Sequence, residues 1–74
     1  MIIDEAGLSW SCVRCQHGPR GEELRESRCQ HPRLVKLVQR PSQDADWVET
    51  YHVEGLAQVY HTPSQALQAL EDNP

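Results

Sequence analysis

Three cysteines, at positions 12, 15 and 29 of a 74-residue chain, constrain what this protein can fold into more than any other feature. Cys12-Val13-Arg14-Cys15 leaves a gap of two residues, and Cys29-Gln30-His31 leaves a gap of one. An odd number of cysteines cannot all pair within one disulfide framework. The opening MIIDEAGLSW carries two acids where a signal peptide has positive charge, and no apolar run approaches a membrane span. A reducing, cytoplasmic setting is therefore expected, and cysteines beside histidines there point to metal rather than cross-links.

The rest of the chain makes a staple desirable. There is no phenylalanine, and the large apolar residues are spread thinly among polar ones. So short a chain hides a small share of its surface. Ordering it costs about 1.5 kcal/mol per residue, which apolar burial only roughly cancels. A structural zinc takes four thiolate or imidazole ligands in a tetrahedron. An apparent binding energy of ~10–16 kcal/mol would match or exceed the net stability of a typical domain.

Five residues compete for the four positions. Arg-Cys-Gln-His occurs twice, at 14–17 and 28–31. Pro32 follows His31 directly and pushes it toward extended geometry, which aims it alongside Cys29. His17 is followed by glycine, so the corresponding restriction falls on Gly18. The expected set is Cys12, Cys15, Cys29 and His31, with His17 as substitute for His31. A symmetric pair of Cys-x-His clips (Cys15, His17, Cys29, His31) is the third arrangement, and it leaves Cys12 unused. At motif level the segment resembles zinc ribbons and zinc knuckles, over about twenty residues and two short clusters.

The expected fold is a small α+β zinc-stapled domain spanning residues 1–74. It would comprise an N-terminal metal-binding segment over 9–33, zinc knuckle- or ribbon-like, and a β-meander plus helix over 34–72. Branched apolar residues predict a strand at about 34–39, and alternation predicts a second over 47–53, with Trp47, Tyr51 and Val53 on one face. Glu54-Gly55 reads as a turn and 56–60 as the returning strand, giving a three-stranded antiparallel sheet. Residues 21–27 carry one large apolar side chain, Leu24, and read as one or two helical turns. Thr62, Pro63 and Gln65 form a capping pattern that opens a C-terminal helix with an Ala66, Leu67, Leu70 stripe.

Charge is unevenly laid out. Residues 14–40 hold all seven basic residues against three acids, whereas residues 41–74 hold six acids and no Lys or Arg. Two readings follow. One is a protein-interaction or regulatory module, inhibitors included, with a structural Cys3His zinc, docking another protein or a second copy head to tail. The other is a zinc-ribbon-like nucleic-acid binder using Arg14, Arg20, Arg28, Arg33, Lys36 and Arg40 for phosphates. The acidic whole-chain balance and the shortage of aromatics near the basic segment favour the first. A four-ligand zinc leaves no open position, and no Ser-His-Asp spacing, phosphate loop or HExxH motif occurs. A non-enzymatic role is expected, with His52 and His61 at the surface.

Overall fold

The computed structural model describes residues 2–73. Six strands follow one another: β1 (Ile2–Ile3), β2 (Ser9–His17), β3 (Glu23–Arg28), β4 (Leu34–Arg40), β5 (Val48–Val53) and β6 (Val59–Tyr60). Helix α1 (Pro63–Asp72) closes the chain. All neighbours are antiparallel and the sheet order is the chain order, a plain meander. β2 to β6 form the main five-stranded ladder, and the two-residue β1 adds to the edge of β2 beside Ser9 and Trp10.

The expected α+β class and C-terminal helix are present, but the sheet is not three-stranded. Besides the short β1, the extra strands come from 9–33, where a knuckle was expected and a β-hairpin is found. Residues 21–27 are not helical: Glu23, Arg25 and Ser27 alternate with Leu24 and Glu26 along β3. Polar cross-strand contacts suit the extended form, one an ion pair and one a histidine–carboxylate contact. Arg14 meets Glu26 at 3.1 Å and His17 Nδ1 meets Glu23 at 2.9 Å. Such pairs do for a polar hairpin what apolar contacts do elsewhere. The hairpin turns through Gly18-Pro19-Arg20-Gly21, closed by the Gly21 amide on the Gly18 carbonyl at 3.3 Å. Gly21 holds φ +83°, a conformation glycine adopts without steric cost.

Side chains separate into two faces by register. One face carries α1 and the core: Leu8, Trp10, Leu34, Tyr51, Val53, Ala66 and Ala69 are buried. Trp10 and Tyr51 meet with ring centroids 5.8 Å apart. Burial, with Glu49 beside it, raises the pKa of Tyr51 well above the ordinary phenol value. Asp4 organises the β1–β2 turn: Oδ1 accepts from the Ala6 and Leu8 amides at 2.9 and 3.0 Å, and Oδ2 accepts from Trp10 Nε1 at 2.7 Å.

The helix is built as its sequence implies. Thr62 Oγ1 accepts from the Gln65 amide at 3.2 Å, with Pro63 in the first turn. Gln65 reaches back one residue further than a capping box does, to the His61 amide at 3.4 Å. The most deeply buried helical positions are Pro63, Ala66 and Ala69, and Leu67 and Leu70 flank them partly buried. Small side chains at the contact let the helix lie close on Leu34, Tyr51 and Val53. Gly55 (φ +91°) makes the β5–β6 turn, with the Leu56 amide donating to the Val53 carbonyl at 3.0 Å.

Candidate functional site

Residues 12 and 15 fall on opposite sides of a regular strand, because side chains alternate. In β2 they do not. Cys12 faces Ser27, Arg14 faces Glu26 and Cys15 faces Arg25, so the register slips by one residue between Cys12 and Arg14. Val13 is the extra residue of a β-bulge, and it reverses the alternation that follows it. Cys12, Cys15 and His17 thereby share the helix-bearing face, in a part of it that α1 does not cover, and all three are exposed.

Cys15 and His17 are in contact, with Sγ 3.1 Å from Nε2. The other ring nitrogen, Nδ1, lies 2.9 Å from Glu23 Oε1. Glu23 itself is nearly buried, its side chain 8% exposed. Its Oε2 has no aligned hydrogen bond, yet Arg25 approaches that oxygen to 2.7 Å. We read this as a charge contact rather than a hydrogen bond. The imidazole thus stands between sulfur and carboxylate, bonded to each through a different nitrogen.

The other expected ligands lie elsewhere. Cys29 follows β3, is partly buried against the core, and donates from Sγ to the His31 carbonyl at 3.6 Å. Burial raises its pKa above the ordinary thiol value. His31 opens the turn into β4, its carbonyl accepting from the Leu34 amide at 3.1 Å. Cys12 and Cys15 sit within a strand rather than in a turn, and at about 3.3 Å per residue their backbones stand roughly 10 Å apart. Among the described residues, no three His, Cys, Asp or Glu side chains are grouped to hold one metal ion.

The basic residues are largely engaged. Arg14 and Arg28 meet Glu26, Arg25 meets Glu23 and Lys36 meets Glu49. Of the ion pairs among the described residues, only that of Lys36 reaches into the acidic half of the chain. Arg33 is structural: Nε and Nη2 donate to the Glu54 carbonyl at 3.3 and 3.0 Å, and Nη1 to the Asn73 carbonyl at 2.6 Å. It ties the β3–β4 turn to the β5–β6 turn and the helix end. Arg40 Nε donates to the Gly21 carbonyl at 3.1 Å.

Two features escaped sequence reasoning. Trp47, 41% exposed, receives Arg40 at 4.7 Å and Arg25 at 5.1 Å from its ring centroid. It lies outside strand β5 and meets residues far away in sequence, so no local pattern reveals it. The second is the edge of β2. β1 covers only Ser9 and Trp10, so among the described residues no strand pairs with the far side of positions 11–17. One signal for the His17–Glu23 contact was present in the sequence: both lie three residues from Arg20, on either side of a Gly-Pro-Arg-Gly turn.

Among the described residues no helix is long and apolar enough to cross a membrane. Comparison with protein-family models, with curated proteins and with solved structures returned no match. The geometry of this chain is therefore what a functional reading has to stand on.

Proposed function

We propose that this chain is a protein-interaction module that adds a partner strand to the free edge of β2. The observation that supports it is the run 11–17, extended and without a strand on its outer side. Unpaired backbone N–H and C=O groups along such an edge are a template for another strand. Side chains of alternate residues then set specificity, here Cys15 and His17 on one face and Arg14 and Gln16 on the other. The bulge at Val13 and the charge of Arg14 limit promiscuous pairing, as edge strands commonly require.

The test is amide hydrogen exchange of the full chain, followed residue by residue from dilute to concentrated solution and with a panel of extended heptapeptides. Alternate amides within 11–17 should become protected when the edge is occupied. Protection confined to β6 and α1, or none at millimolar concentration, overturns the reading.

A second reading, nucleic-acid binding, is favoured by Trp47 between Arg25 and Arg40, since arginine and an exposed indole together suit phosphates and bases. Salt-dependent retention on immobilised single-stranded DNA or RNA, weakened by Trp47→Ala, would support it.

A further inference from the structure

The geometry points to a zinc site shared between two copies of this chain, with Cys15 and His17 as the ligands from each. The inference rests on the edge-pairing reading and names its occupant: a second copy, joined through β2.

Half of a tetrahedral site is already assembled. Zinc bonds of about 2.3 Å to sulfur and 2.0–2.1 Å to nitrogen place two tetrahedral ligand atoms roughly 3.5 Å apart. Cys15 Sγ and His17 Nε2 are 3.1 Å apart, within a few tenths of an ångström of that spacing. The remaining nitrogen of His17 faces a carboxylate, Glu23 Oε1, at 2.9 Å. That is the outer partner metal-bound histidines almost always have, because it fixes the tautomer and the ring orientation. Glu23 is nearly buried and Arg25 contacts its Oε2 at 2.7 Å, which holds it in place for this role.

Among the described residues no third His, Cys, Asp or Glu is grouped with Cys15 and His17 around one metal position, so the other half has to be sought outside this arrangement. It can come from the edge. When two β2 strands pair antiparallel with Gln16 opposite Gln16, Cys15 of one copy lies across from His17 of the other. Residues directly opposite share a face and stand about 4.5–5.5 Å apart at Cα. Two sulfurs and two imidazoles then converge on one side of a continuous sheet. The same register sets Arg14 across from Gly18, so like charges do not meet. Each thiol releases its proton to solvent as it binds the metal, giving a Cys2His2 site related by a two-fold axis.

The full-length protein, reduced and metal-free, is titrated with Zn2+ while mass is followed by light scattering and zinc by elemental analysis. The expected result is one zinc per two chains with doubling of the mass, and tetrahedral d–d absorption when Co2+ replaces Zn2+. Cys15→Ser and His17→Gln should abolish both. Cys29→Ser and His31→Gln should leave the stoichiometry at one zinc per two chains. Glu23→Gln should weaken zinc binding about 10–100-fold. One zinc per monomer, lost with Cys29→Ser, overturns the inference in favour of a site within one chain. Zinc bound without a change in mass, or no zinc bound at micromolar concentration, also overturns it. In those cases amide protection along 11–17 still decides the edge reading separately.

Discussion

At one end of β4 and β5, Leu34, Tyr51 and Val53 are sealed beneath α1, each no more than 3% exposed. At the other end of the same sheet face, Val38, Arg40 and Trp47 lie beside Arg25, Glu23, His17 and Cys15 with no helix above them. The first end is ordered by removing apolar surface from water. The second is ordered by the His17–Glu23 contact across strands, the Arg25–Glu23 ion pair along β3, a hydrogen bond from the Arg40 side chain to the Gly21 carbonyl and two arginine–indole contacts. Such contacts hold side chains in place but add little net stability, because exposed charges are screened. The arrangement leaves chemistry-bearing groups accessible on a rigid strand. The buried core and the proposed binding groups thus occupy opposite ends of one sheet.

Substitutions should break that contrast unequally. Leu34→Ala, at a fully buried site between strand and helix, is expected to cost about 2–5 kcal/mol by chemical denaturation. In a chain this small, that removes much of the folded population. Asp4→Ala comes next, at about 1–3 kcal/mol, since it strands two backbone amides and the Trp10 indole N–H. Burial works against ionisation of Asp4, but the hydrogen bonds from Trp10, Leu8 and Ala6, and then Lys36, outweigh it and depress its pKa. A depressed carboxylate contributes stability above the ordinary value of 3.8 and loses it as pH falls through the folded value. Denaturant midpoints should therefore fall below about pH 4 in the parent. In Asp4→Asn that acid-dependent step should shrink, and an unchanged pH profile would contradict the assignment.

Thr62→Ala removes the helix cap and should cost about 1 kcal/mol in the same assay. Smallest is Trp47→Ala at the uncovered end, expected at about 0.5–1 kcal/mol. A loss there as large as that of Leu34→Ala would erase the distinction between the two ends.

Local chemistry made the helix legible, because Thr62, Pro63 and Gly55 each act on their own neighbours. The strand at 34–40 was legible from its branched residues, and β5 from its alternation. The hairpin at 9–28 was not, since its strands are polar on both sides and their period carries no apolar signal. Arg14, Glu26, His17 and Glu23 look like loop residues until they are seen opposite one another. Counting along the chain ranked Cys12 with Cys15 and Cys29 with His31 first and a Cys15–His17 clip third, and it is Cys15 and His17 that the folded register brings into contact, with Glu23 behind them.

The amino-acid sequence by itself determined the Glu54-Gly55 turn, the capped helix and a supply of thiols and imidazoles, because those depend on each residue and its immediate neighbours. Only the tertiary structure decided which of them meet. A single extra residue at Val13 turns Cys15 and His17 toward the helix-bearing face, and pairing with β3 brings Glu23 behind the imidazole. Register is a property of two strands together, so no reading of one strand alone contains it.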